Sequence, residues 1–450
     1  MAEAKDIDDS LEFLRSFEKN TVPTNMASVV REKLDTKNRR LSLQGNRFTQ
    51  DDFKLLSEME ALSRLESLDL SETGLTSAGL KYLCGSKISS NLKHLALGNN
   101  NLDDEGLFFF SKSSSFRNLV ELDLSSNEIG ALGARVLSMS NELPCLEVLD
   151  LSYNRIEPLG LKALAESSLA GRLKSLNLRD TCVADDGLRH LSAKGSMASL
   201  ESLNLSDNAL TAGGIEALGR AEVFPNLKRL VLDNNHLGDD GMYALAQSPA
   251  FSAVKELFLR NNALTADSAI SMAESETLSC LRVLDLNNND IRAEGTRALA
   301  LSANMQGLEE LDMGANQLGP EGTIPLATSH FFSSLKSLRL NNNNVTDTGV
   351  KAIARSKTLL RLESLYLENE NWIHAEGVKA LAESSALATL KTLVLSLNVI
   401  GDEGAQHLAN SQKLCGLEFL NVAGNRLSPG AEDALRYSTC LTSMKILELV

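Results

Sequence analysis

Leucine and isoleucine recur along most of this chain with the spacing L-x-x-L-x-L-x-x-N-x-L, as in LVELDLSSNEI (Leu119 to Ile129), LESLNLSDNAL (Leu200 to Leu210) and LRVLDLNNNDI (Leu281 to Ile291). Positions are counted from the first leucine, so the polar Asn is the ninth. The L-x-L centre alternates with period two, which predicts a short half-buried strand with both leucines on one face. The ninth position falls at Asn46, Thr73 and Asn100, then every 27 residues to Asn343; Asn371 follows after 28, and Asn398 and Asn425 return to 27. Asparagine both donates and accepts, so a stacked column of it can satisfy backbone groups in the turn, and Thr73 and Thr181 supply one hydroxyl each. Three residues on, Thr, Ser, Asp or Gly stands in eleven of fifteen units, which predicts helix N-caps. The following GhxALAxS, as in GLKALAES (Gly160 to Ser167), predicts a short amphipathic helix whose alanines allow close packing.

Each unit is thus a strand, a turn, a helix and a return. One unit cannot bury its apolar face alone, and stacking completes the core. Helices are wider than the ~4.8 Å between strands, so the stack is expected to bend with its strands inside. The pattern resembles the leucine-rich repeat, and its length and helix resemble the ribonuclease-inhibitor class. The ALAxS helix and even period are similar to those of bacterial members. The resemblance implies an α/β horseshoe solenoid of about 15.5 repeats, with a concave parallel β-sheet and convex helices. Residues 38–443 form fifteen repeats, and 444–450 a half-repeat ending on a strand. Residues 1–37 lack the pattern and are expected to cap the first unit with helices over DDSLEFLRSFEKN and TNMASVVREKLD. The last strand is read as a cap on a monomer, its alternative being edge pairing into a dimer.

Aromatics make up only 4% of residues, so the core is aliphatic. The net charge is −15 without a run of five Lys or Arg, which argues against a nucleic-acid binder. No apolar run reaches membrane-span length and the N-terminus has no Sec signal, so the expected location is the cytoplasm, or a host cell reached by specialised export. Cys84, Cys145, Cys182, Cys280, Cys415 and Cys440 are far apart, without metal-ligand spacing, and read as buried or half-buried free thiols. Phosphate-binding, dinucleotide, zinc-protease and serine-hydrolase motifs are absent, and no cofactor or metal is expected. The expected function is non-enzymatic protein binding, extending to a bacterial effector. The alternative is a GTPase activator, because the Ran GTPase-activating protein resembles this repeat class. Arg47, Arg155 and Arg426 follow the ladder Asn, but no context marks them as catalytic.

The fifth position, between the second and third leucines, is expected to point into the horseshoe. Read in order it gives three zones. Asp69, Asp123 and Asp150, with Glu72 and Glu121, make an acidic concave patch that favours a basic protein partner. Val231 and Phe258, flanked by Arg229 and Arg260, form a second zone. Arg339, Tyr366 and Val394, with Leu397 and Phe419 nearby, form the third. Exposed aromatic and Val side chains beside Arg resemble interface anchors. The extra residue before Asn371 is expected to bulge the strand end and carry Trp372, the chain's one tryptophan, to the inner rim beside Tyr366, Val394 and Phe419. Phe108, Phe109 and Phe110 lie in a helix and are read as mostly core.

Overall fold

A computed structural model of the chain describes residues 25–194, 197–220 and 224–449. The predicted helix over DDSLEFLRSFEKN lies outside the described residues. The chain forms two compact units, one built from residues up to Ala209 with Arg220–Leu227, the other from Leu210–Gly219 and Lys228 onward.

In the first unit, three-residue strands repeat from Arg40–Ser42 to Ser202–Asn204. They pair in parallel, Leu41 opposite Leu68 and Leu68 opposite Leu95, so each step along the sheet is one repeat. A helix over Asn25–Lys33 precedes them, with Met26 and Val30 fully buried. It leads into the two-residue strand Leu34–Asp35, which pairs antiparallel with Arg40–Ser42. In the second unit the strands run from Arg229–Val231 to Ile446–Glu448, all parallel and in the same register. The fourth-position leucines of the paired interior strands, such as Leu122, Leu257 and Leu365, are at most 2% exposed, as period-two alternation requires. Burying each such leucine contributes roughly 1.5–3 kcal/mol.

The asparagine ladder forms as expected. Asn343 Nδ2 donates to the Met313 carbonyl at 2.8 Å, and Asn343 Oδ1 accepts from the Asn316 N–H at 2.9 Å. Thr73 substitutes, its hydroxyl donating to the Leu70 carbonyl at 2.6 Å.

Helix starts follow two patterns where one was expected. Thr49, Thr76, Asp103, Thr265 and Ser428 are side-chain N-caps in extended backbone. At Glu157, Ala184, Gly238, Arg292, Gly319, Thr346 and Gly401 the same position is left-handed, with φ between 49° and 60°. Glycine there serves conformation and does not cap. The left-handed residue turns its N–H toward the next repeat's ladder carbonyl, as Gly238 does to Asn262 at 3.0 Å. In several extended starts an aspartate of the preceding helix caps from the neighbouring repeat. Asp104 accepts from the Gly130 and Gly133 N–H groups at 2.7 and 2.8 Å, and Asp239 accepts from the Thr265 N–H at 2.9 Å.

Close helix packing rests on glycine more than on the expected alanines. A Cβ on Gly160 would stand 2.8 Å from the Ile156 side chain and 3.2 Å from Ala131 Cα of the preceding helix. A second column, of serines, closes the helix C-termini. Ser113 donates to the Cys84 carbonyl at 2.5 Å, Ser302 to Ala273 at 2.7 Å and Ser411 to Ala382 at 2.6 Å. Each satisfies a carbonyl that the preceding helix leaves without an internal donor.

Candidate functional site

The open face of each sheet carries the third- and fifth-position side chains. At the fifth position, Asp and Asn have a local task that the sequence reading did not assign. Asp69, Asp123, Asp150, Asp285 and Asp312 each accept from the N–H two residues on, at 2.8–3.0 Å. Asn177, Asn204 and Asn421 do the same. The carboxylate or amide therefore pins the turn that ends its strand.

The acidic patch lies in the first unit. Asp69 accepts from Ser42 at 2.9 Å, Asp150 from Asn177 at 2.7 Å, and Glu121 pairs with His94 at 2.8 Å. Burial pushes the Asp123 carboxyl above the usual range, with Asp150 and Asp69 adding to the rise. An open depression of about 400 Å³ is lined by Asp69, Ala96, Glu121 and Asp123 together with Arg40 and His94. Glu72 adjoins the patch in left-handed backbone and accepts from Gln44 at 3.2 Å. Sequence reading missed Tyr153, 44% exposed in this unit, over which Arg179 lies 5.4 Å from the ring centroid.

In the second unit, Val231, Phe258, Arg339, Tyr366 and Val394 hold the fifth position, and none of these side chains carries the short carboxylate or amide acceptor that takes the turn N–H in other repeats. Asp233 takes over for one of them, accepting from the Arg260 N–H at 2.8 Å. The Arg229 guanidinium lies 4.2 Å from the Phe258 ring centroid and also pairs with Glu256. Arg339 lies 3.7 Å from the Tyr366 ring centroid, and the two residues are partners across adjacent strands. Both rings are half-buried. Val231 and Val394 are only 9% and 8% exposed, which corrects the expectation of wet valines. Phe419 is half-buried, one strand beyond Val394.

Arg260 does not stand free beside Phe258. It grips Asp285 at 2.5 Å and reaches Asp312 at 3.4 Å. Burial, then repulsion from Asp312, pushes the Asp285 carboxyl up to about 6. Glu368 was also missed: burial raises its carboxyl, with Arg339 opposing, and its Oε2 is buried without a hydrogen-bond partner. These acids sit at the fifth and seventh positions, so the inward column held the signal.

The 28-residue step resolves differently from expectation. Strand Ser364–Tyr366 keeps register on both sides, Leu365 opposite Leu338 and Leu393. The turn absorbs the extra residue as two consecutive left-handed residues, Asn369 (φ 57°) and Glu370 (φ 47°). The Asn371 side chain still reaches the Leu340 carbonyl at 2.8 Å, so the ladder continues. Trp372 stands beyond this buried Asn, at the position of Asn344 and Arg426 in other repeats, and is 55% exposed.

Outside the open face, Phe110 is core and stacks on Phe116 at 4.3 Å, Phe109 is half-buried under Lys81, and Phe108 is 49% exposed. Cys145, Cys182 and Cys280 are exposed, against the expectation of covered thiols, because they fall in turns and returns. Burial pushes the Cys84 thiol up to about 12. Arg155 faces Glu157 at 3.6 Å. Among the described residues, no helix is long and apolar enough to cross a membrane.

Family models described as leucine-rich repeats match residues 117–163 as a two-copy unit. Single-repeat matches cover 63–84, 89–111, 173–192, 196–219, 225–246, 277–300, 305–327, 333–354 and 386–409. Among solved structures, the chain is similar to an internalin (inlF) of Listeria monocytogenes, with 18% identity, a TM-score of 0.45, and 98% of this chain and 94% of that one covered. It is also similar to a TDR receptor, with 16% identity, a TM-score of 0.43, and 90% and 72% covered. No curated protein sequence matches it. The repeat matches span more than half of the chain, and the parallel strands, Asn ladder and return helices agree with them: the protein belongs to the leucine-rich repeat family.

Proposed function

We propose that the chain is a protein-binding scaffold that engages its partner through the open face of its strands, with Arg229–Phe258 and Arg339–Tyr366 as anchors. One observation carries the reading. Where most repeats keep Asp or Asn as the acceptor for the strand-ending turn, these repeats place Phe, Tyr, Arg or Val. Local stability favours the acceptor, so a different use accounts for the replacement. An aromatic ring with a guanidinium on its face suits a desolvated contact, where Arg and Tyr dominate binding energy. Val231 and Val394 support the neighbouring rings, and Arg260 contributes through its pairing with Asp285 and Asp312. The acidic face of the first unit favours basic segments of the same partner. Phe419, two strands from Tyr366, and Trp372, exposed in the turn after the Tyr366 strand, extend this anchor.

The reading applies equally to a resident scaffold and to an effector delivered into a host cell. No observation favours the GTPase-activator reading. The test uses a partner captured from the source cell, with Phe258→Asn and Tyr366→Asn. Each variant places there the amide that other repeats carry, so the fold is expected to hold while affinity falls about tenfold or more. Full affinity in both variants would sink the proposal.

A further inference from the structure

The second position, just before each strand, forms a column of charge that the leucine pattern does not reveal. Arg39, Glu66 and Lys93 alternate there, with both cations on Glu66 at 2.8 and 2.7 Å. Glu147 and Lys174 pair at 2.8 Å. In the second unit Arg282 and Lys336 both pair with Glu309, Lys391 pairs with Glu363, and Lys445 pairs with Glu418. Alternation gives each charge an opposite neighbour at strand spacing, ~4.8 Å.

The alternation fails at one place in the second unit, where Lys228, Lys255 and Arg282 follow one another. Their strands are in register, Glu256 opposite both Arg229 and Val283, so the preceding cations are lateral neighbours. The backbone agrees: the Lys255 N–H donates to the Lys228 carbonyl at 2.7 Å, and the Arg282 N–H donates to the Lys255 carbonyl at 2.8 Å. All three side chains are exposed. Arg282 spends its charge on Glu309, while Lys255 has cations on both sides and makes no ion pair among the described residues. Like charges directly across adjacent strands destabilise a sheet. A Glu in place of Lys255 would complete the alternation, as Glu66 and Glu309 do.

We infer that the Lys228–Lys255–Arg282 break is a docking point for an acidic segment of a protein partner, whose carboxylates take the place of the missing anion. The occupant follows from charge complementarity at this point, against a chain whose net charge of −15 repels acidic segments elsewhere.

The test is fluorescence anisotropy with a labelled oligoglutamate peptide, together with thermal unfolding. The native chain is expected to bind at low salt and to release the peptide in about 0.5 M salt. Lys255→Glu is expected to weaken binding about tenfold or more and to raise the Tm, because it supplies the anion internally. Lys255→Ala is expected to weaken binding while adding no anion to the column. Lys413→Glu, the same charge change at an exposed site outside the column, is expected to bind as the native chain does. Equal binding by native chain and both Lys255 variants would overturn the inference. So would equal losses from Lys255→Glu and Lys413→Glu.

Discussion

Ser356 Oγ donates to the carbonyl of Ala327, 29 residues earlier, at 2.6 Å. The bond ties the end of one helix to the end of the previous one. It also fixes the return, because the Thr358 and Leu359 N–H groups donate back to the same hydroxyl at 3.1 and 3.0 Å. Ser356→Ala leaves two N–H groups short of their acceptor and the Ala327 carbonyl with the Thr358 hydroxyl alone, at 3.2 Å. The expected cost is about 1–3 kcal/mol, read as a lower urea midpoint with unchanged slope.

The extra residue at Glu370 predicts a tolerant site. Both flanking strand pairs are already in register, and Glu370 holds left-handed backbone. Deleting Glu370 restores the 27-residue step and removes one such residue, which costs roughly 1–2 kcal/mol in an L-amino acid. The shortened chain is expected to unfold at equal or higher temperature; a fall in Tm of several degrees would show that the turn has another role.

Asp285 gives the fold a pH dependence. Burial and the neighbouring Asp312 push its carboxyl from the ordinary 3.8 up to about 6 in the folded protein. The folded state therefore holds the proton more tightly, and stability from this group is complete at low pH and lost as pH rises through about 6. The loss is on the order of 1–3 kcal/mol. Asp285→Asn is expected to flatten the decline in stability between about pH 4 and 6. An NMR titration of Asp285 with a midpoint near 4 would refute this.

Thiol chemistry separates the cysteines. Cys145, Cys182 and Cys280 are exposed, whereas burial holds the Cys84 thiol near 12 and starves it of thiolate. A colorimetric thiol reagent at neutral pH is expected to modify those three quickly and Cys84 only on unfolding. Mass spectrometry that finds Cys84 labelled alongside Cys280 would contradict the packing around the Ser77–Cys84 helix.

What the sequence showed depended on whether residue type and spacing carried the same message. The leucines and ladder asparagines did: an apolar side chain fits the fourth position, and an amide, with two donors and an acceptor, suits the turn better than the lone hydroxyl of Thr73. The serine column was hidden, because serine is common in returns and its acceptor is a backbone carbonyl with no residue signature. The aspartates of the open face were read as recognition alone, since their bond to the N–H two residues on needs backbone geometry to be seen. Val231 and Val394 lay on the expected face but under cover, as exposure depends on the neighbours' rotamers. The charge column escaped notice because its partners lie 27 or 28 residues apart, visible only once the repeats are laid side by side.

In both columns, the amide one at the strand ends and the hydroxyl one at the helix ends, the side chain bonds backbone groups of the preceding brick and otherwise groups of its own. Any two bricks therefore present matching faces wherever they sit along the pile. A complete brick can be excised or copied, and the wound closes with the same bonds that were there before. Growth by duplication asks nothing new of the chemistry, which leaves the inward-looking side chains free to change one at a time.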